Sequence, residues 1–188
     1  MDRAAPKHLR GFPEITVSVS TPVRRLLIAS PVGPLLAEYG DEGVRALRFW
    51  PQGKHPPAPT RDEPARDDAL GWQILRELRE YFAGERREFT LPLAAEGTEF
   101  RRAAWDALCR IPFGETRSYG DVARELGKPG ASRAVGQANA HNPIPIIVPC
   151  HRVLASGGAI GGYLGSWETG DGSHVKRWLL RHEGVTVR

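Results

Sequence analysis

At 188 residues the chain is long enough for one domain or two small ones built on real hydrophobic cores. With 40% apolar and 26% charged residues it is ordinary globular material, and no stretch reaches the ~18 uninterrupted apolar residues of a membrane span. The net charge of +4 lies wholly in the C-terminal half: residues 98–188 carry 12 Lys and Arg against 8 Asp and Glu, while residues 1–97 carry 14 of each. That asymmetry fits a polyanion-facing half, and it also fits an ordinary solvated surface. The opening MDRAAPKHLRGFPE is basic but lacks the apolar segment of a secretory signal, so the expected location is cytoplasmic.

In chain order, residues 14–20 (EITVSVS), 24–30 (RRLLIAS), 35–39 (LLAEY) and 44–50 (VRALRFW) are short runs rich in Val, Ile and Leu, bounded by Gly and Pro. They predict the strands of a small antiparallel meander, with PVG and GDEG as turns. Residues 51–68 hold five prolines, charges of both signs and no aliphatic side chain larger than Ala, so they predict a loop. Over 69–83, Trp72, Leu75, Leu78 and Phe82 recur at helical spacing with charges opposite, and Gly84 ends the pattern. A short strand is expected over 88–93, with LAAEG as the connector that follows.

From Thr98 a second unit begins. The segment FRRAAWDALC predicts a helix whose inner face carries Phe100, Ala103, Ala104, Ala107 and Leu108, with Cys109 as a small buried thiol, and Pro112 and Gly114 end it. Ser118 and Asp121 have capping-box spacing for a helix through Leu126 that Gly127 closes. ASRAVGQANA supplies a second short helix. Two short helices joined by a glycine-containing turn match a helix-turn-helix, although small helical domains of many functions contain such pairs. The predicted fold is therefore α/β (α+β): a small N-terminal sheet-plus-helix domain over 1–97 and a mostly helical C-terminal domain over 98–188.

The two cysteines, Cys109 and Cys150, make no disulfide framework and have no zinc-like spacing, so no metal is expected. Cys150 lies in NPIPIIVPCHRVL, where three prolines fall within seven residues just ahead of it. A nucleophilic cysteine acts as a thiolate, and an adjacent base or cation must help it lose its proton; His151 and Arg152 follow directly. Consecutive residues of a strand face opposite ways, so a Cys150–His151 partnership requires the chain to leave strand geometry there. The competing reading is an inert core thiol beside a buried histidine. Five glycines in the next segment, SGGAIGGYLG, allow close approach of a ligand but lack the strand-GxGxxG-helix context of a dinucleotide site.

PIPIIVPCHRV, preceded by RAVGQANAHNP and followed by GAIGGY and WLLRHEG, resembles the O6-alkylguanine-DNA alkyltransferases (methylated-DNA–protein-cysteine methyltransferases). The likeness runs from about Thr98 to Gly184; residues 1–97 resemble the family's variable N-terminal domain only in outline, through PVGPLLAEYGDEGVRALRF. It implies a monomeric repair protein, without cofactor, that flips O6-alkylguanine out of double-stranded DNA, with O4-alkylthymine as a second lesion, and moves the alkyl group irreversibly to its own cysteine.

By motif, the resemblance makes Cys150 the acceptor, His151 the base that reaches it through a water, and Glu183 the acid that orients the imidazole. Asn142 would hold the turn around the cysteine. Tyr119 would face the extruded base and assist protonation of the leaving guanine, and Arg133 would fill the gap left in the stack. The carbonyls of Cys150 and Val153 would read the guanine amino group, Tyr163 would line the alkyl pocket, and Lys128 and Ser156 would touch the DNA backbone. These roles are chemically coherent: the target atom is unreachable inside a stacked duplex, and displacement at an alkyl carbon needs both a good nucleophile and a protonated leaving group. Two alternatives stand beside this reading, a non-catalytic lesion sensor or DNA-binding regulator, and a cysteine hydrolase. Residues 164–173 form a longer link than the family's usual one, at the border of the expected alkyl pocket.

Overall fold

The computed structural model describes residues 22–51, 55–58, 60–160, 163 and 172–187; the expected strand over 14–20 and nearly all of the 164–173 link lie outside them. Strands β1 (Arg24–Ile28), β2 (Leu35–Gly40) and β3 (Gly43–Phe49) form an antiparallel sheet in that order. Leu26, Ile28, Leu35, Ala37, Tyr39, Val44, Leu47 and Phe49 enter the core, as period-two patterning requires of a sheet with one buried face. The proline-rich loop follows the free edge of β1, where Leu27 N–H donates to Arg61 O at 2.8 Å and Arg61 N–H returns a bond to Arg25 O.

Helix α1 (Ala69–Phe82) starts at Asp68, whose carboxylate accepts from Gly71 N–H, from the Tyr39 hydroxyl at 2.7 Å and from Arg24 at 3.0 Å. One residue thus caps the helix and ties it to the sheet. The buried stripe is Gly71, Ile74, Leu75, Leu78 and Tyr81, which corrects the expected face. Trp72 is 40% exposed, its indole N–H donating to Ala65 O beside the stripe, because the ring's polar edge is satisfied there without burial.

Residues 88–93 do not form the expected strand. Val44 N–H donates to Pro92 O and receives Ala94 N–H at its own carbonyl, a single bridge. Pro92 has no N–H to extend it, and the Thr90 N–H and hydroxyl are both taken by the Glu77 carboxylate. Gly43, at φ 138°, sits where an added Cβ would lie 2.4 Å from Pro92 O, so this crossing needs glycine.

Helices α2 (Glu99–Cys109), α3 (Tyr119–Glu125), α4 (Ser132–Ala140) and α5 (Ser173–His182) complete the described elements, with a two-residue parallel pairing of β4 (Arg117–Ser118) and β5 (Val153–Leu154). The Ser118–Asp121 capping box is formed. Trp105 Nε1–H donates to Ala138 O at 2.9 Å, locking α2 to α4, and α3 packs beside α4 as the predicted helix pair. Cys109 is exposed rather than buried: as the last residue of α2 it follows the inward Ala107–Leu108 pair and turns away from the core. Among the described residues no helix is long and apolar enough to cross a membrane.

Candidate active site

The chain leaves α4 at His141 and makes a tight turn that Asn142 holds from within. Asn142 Oδ1 accepts from Ile144 N–H at 3.0 Å, and Nδ2 donates to Val148 O at 2.8 Å and to Cys150 Sγ at 3.1 Å. The turn forces Ile146 to φ 74°, the only positive value among described non-glycine residues. For a β-branched side chain this conformation costs ~1–3 kcal/mol, which the surrounding bonds must offset. Cys150 then opens a single 3-10 turn, Cys150–Arg152, so the chain does leave strand geometry at the cysteine.

Cys150 is 2% exposed. Burial pushes its thiol up to about 11, against the Asn142 N–H bond, the Lys176 charge and the Tyr163 hydroxyl, all of which favour the thiolate. Tyr163, itself buried, lies close enough to interact with the sulfur without a formed hydrogen bond. Lys176 on α5 is 1% exposed; burial lowers its ammonium to about 8, the nearby Cys150 draws it back up, and it donates to Val153 O at 2.7 Å.

His151 is fully buried, and its Nε2 is 2.8 Å from Glu183 Oε1. Burial would raise the Glu183 carboxyl, but the His151 and Arg152 contacts hold it well below the usual carboxylate range. An ionised carboxylate only accepts, so Nε2 carries the proton and Nδ1 presents a lone pair. Nδ1 has no hydrogen-bond partner among the described residues. Burial, the larger influence, keeps the imidazole below its ordinary value, while Glu183 pulls the other way. The arrangement is therefore a neutral base, oriented by an acid, adjoining a thiol that cannot ionise unaided.

Two domain models of the 6-O-methylguanine DNA methyltransferases match the chain, the ribonuclease-like domain over residues 23–95 and the DNA binding domain over 99–185. A methylated-DNA–protein-cysteine methyltransferase of Methanosarcina acetivorans is 43% identical over 84% of this chain and 96% of its own length. The chain belongs to this methyltransferase family. A relative from Mycobacterium tuberculosis is 46% identical over 83% of the chain and 89% of its own length. The crystal structure of the M. tuberculosis O6-methylguanine methyltransferase superposes with a TM-score of 0.72 at 41% identity, covering 86% of this chain and 93% of that one. A structure of the M. tuberculosis protein in complex with DNA superposes at 0.69, with 41% identity, covering 86% and 92%.

Of the methyltransferase residues expected from sequence, Cys150, Asn142 and Tyr163 converge at the thiol, and His151 joins Glu183. Tyr119 is half-buried at the start of α3, near enough to Cys150 that its phenol, raised chiefly by burial, is raised further by the cysteine's charge. A Cβ placed on Gly136 of α4 would stand 3.9 Å from the Tyr119 ring, so the helix pair and the thiol share this tyrosine. Arg133, one residue into α4, is exposed. Lys128 in the α3–α4 turn is exposed, its ammonium over the Phe100 ring, and Ser156 is exposed just past β5. Val153 is buried, and Lys176 already occupies one acceptor position of its carbonyl.

Sequence reasoning missed Lys176 and Tyr81, and it offered Arg152 as a cation for the thiol rather than as the partner of Glu183. Arg152 is buried and donates to Glu183 from Nε at 2.8 Å and Nη2 at 3.0 Å, and to Ile111 O at 2.6 Å. Lys176 could have been found from spacing, since a lysine at 176 shares a helical face with Leu179, Leu180 and Glu183. Asn139 on α4 is 6% exposed with neither amide atom paired among the described residues. Tyr81 comes from α1 and carries no motif. The described residues contain no group of three or more His, Cys, Asp or Glu able to hold a metal.

Proposed function

We propose that this chain repairs O6-alkylguanine in double-stranded DNA by taking the alkyl group onto Cys150, once per molecule. The observation that supports it most is a buried, Asn142-held thiol followed in the same turn by His151, whose Nε2 is committed to Glu183 and whose Nδ1 is unpaired among the described residues. His151 accepts the thiol proton through a water, and Lys176 and the Asn142 amide favour the sulfur's negative charge. The thiolate attacks the alkyl carbon; the S–C bond forms as the C–O6 bond breaks. The electron pair passes into the guanine ring, which takes a proton with the help of Tyr119. A thioether is not a leaving group under these conditions, so the reaction stops at one equivalent.

The division of labour follows residues 1–97 and 98–188. The second unit binds DNA: α3 and α4 approach the duplex, Arg133 replaces the extruded nucleotide in the stack, and Lys128 and Ser156 meet phosphates. Tyr163 and the Val153 carbonyl line the base pocket. The protein acts as a cytoplasmic monomer, and O4-alkylthymine is a second substrate.

The deciding experiment uses a duplex with O6-methylguanine labelled in the methyl group. Label should appear in the Cys150 peptide and saturate near one per chain. Binding without transfer would support a lesion sensor, repeated turnover a hydrolase, and transfer surviving Cys150→Ala would sink the mechanism.

A further inference from the structure

Among the described residues, Leu47, Phe49 and Tyr81 carry contacts from the sheet and α1 to the reactive centre. Leu47 N–H donates to Pro143 O at 2.8 Å, the Phe49 ring meets Tyr163 edge-on at 6.3 Å, and the Tyr81 hydroxyl donates to Glu183 Oε1 at 2.8 Å. The first two are packing and backbone contacts. The third reaches the acid that orients the imidazole, from a residue 102 positions away in the chain.

Tyr81 has no exposed surface, and its ring is enclosed by Phe82, Phe89, Phe113 and His182. A phenol in such a setting needs a partner for its O–H, yet any carbonyl would serve that need. Here it donates to the same carboxylate oxygen that receives His151 Nε2–H. The other groups facing this pair are the Arg152 guanidinium on Glu183, the Lys176 ammonium, and the Cys150 thiol and Tyr163 phenol, with His182 against the Tyr81 ring.

We propose that Tyr81 is a positioning residue for the reactive centre: its hydroxyl fixes Glu183 Oε1 and thereby sets both the direction and the basicity of His151. The sheet-and-helix region then completes the site rather than merely accompanying it. Tyr81 and the Arg152 Nη2 group share Oε1 with His151, so the charge that Tyr81 withdraws from this oxygen is charge His151 does not feel. Removing the hydroxyl concentrates that charge on the imidazole and favours its protonated form. His151 must be neutral to take the thiol proton, so the acid limb of Cys150 reactivity moves to higher pH. A stronger phenol donor moves it the other way.

The inference rests on the alkyl-transfer reading for its purpose but not for its test. The rate of Cys150 alkylation by iodoacetamide is followed against pH in the full chain, read by peptide mass spectrometry so that Cys109 is counted separately. Tyr81→Phe keeps the ring; the limb should move to higher pH, and the rate measured on that limb should fall about threefold. The unchanged sequence carrying 3-fluorotyrosine at position 81, a stronger donor, should show the limb displaced to lower pH. Limbs that coincide in the three proteins, or move in one direction for both changes, overturn the proposal even if Tyr81→Phe melts lower. Iodoacetamide needs no lesion, so these outcomes are independent of whether methyl label reaches Cys150 from DNA.

Discussion

Among the described residues three carboxylates are buried, Asp68, Glu77 and Glu183, and the last two, one in each half, have surroundings that differ in one respect. Glu77 of α1, with no exposed surface, receives the Thr90 N–H and hydroxyl and the Gln73 amide, while Arg86 stands 3.7 Å away. None of these donors is a base, and the result is a clasp between α1 and the segment after it. Glu183 is at least as well supplied, by His151, Tyr81, Nε and Nη2 of Arg152 and, at 3.4 Å, Gly114 N–H. One of its donors is an imidazole whose other nitrogen is unpaired among the described residues. A buried acid whose donors include no base holds a fold together, whereas one that polarises an imidazole with a spare lone pair prepares a reaction.

The largest expected effect comes from removing the charge that matters to the second acid. Glu183→Gln leaves the Arg152 guanidinium buried without its counter-charge, which should cost about 3–5 kcal/mol in denaturant titration. It also removes the preference for the Nε2–H tautomer, so single-turnover methyl transfer should slow on the order of 100-fold or more. Transfer at the unaltered rate would make Glu183 another clasp. Lys176→Met tests the sulfur rather than the base. Removing the cation that favours the thiolate should slow both methyl transfer and iodoacetamide alkylation about tenfold at neutral pH, with little change in DNA affinity.

Arg133 separates chemistry from DNA handling. It is exposed on α4, and no ion pair involving it is formed among the described residues, so Arg133→Ala should leave reaction with free O6-alkylguanine unchanged. Repair of the same lesion in a duplex should fall about tenfold, because only there must the vacated stack be filled. Equal losses on both substrates would place Arg133 in the chemical step instead.

Local signals in the sequence were sufficient for the three strands from Arg24 to Phe49, α1, α2 and the helix pair, since each has a period and a stop of its own, and α1, α2 and α3 also have a side-chain cap. The Cys150 centre was legible as a motif. What stayed hidden depended on contacts between distant segments. Trp72 reads as core by period alone, yet Gly71 and Tyr81 take the inward positions; the strand expected over 88–93 yields to Glu77, which captures Thr90. Tyr81 and Arg152 meet Glu183 only after folding, and no spacing rule relates residue 81 to residue 183. Cys109 shows the reverse error: helical phase near a terminus is weakly set, and one residue there separates core from solvent.

The smallest effect on activity is expected at Glu77, and it completes the contrast between the two acids. Glu77→Gln keeps the shape but substitutes an amide whose NH2 faces donors, so stability should fall about 1–3 kcal/mol while the methyl-transfer rate stays within twofold. The pH dependence gives the sign. Burial works to raise the Glu77 carboxyl, but the Thr90 and Gln73 bonds prevail and hold it below its ordinary value of 4.5. A depressed folded-state value means the unfolded chain binds the proton first as acid is added. The stabilisation is thus fully present above pH 4.5 and is lost as pH falls through the folded-state value. Denaturant titrations of the two proteins should therefore differ at pH 7 and converge in acid. A gap that persists at low pH would show that shape rather than charge makes the clasp, and a loss of transfer at neutral pH would show that the two carboxylates are coupled through α1.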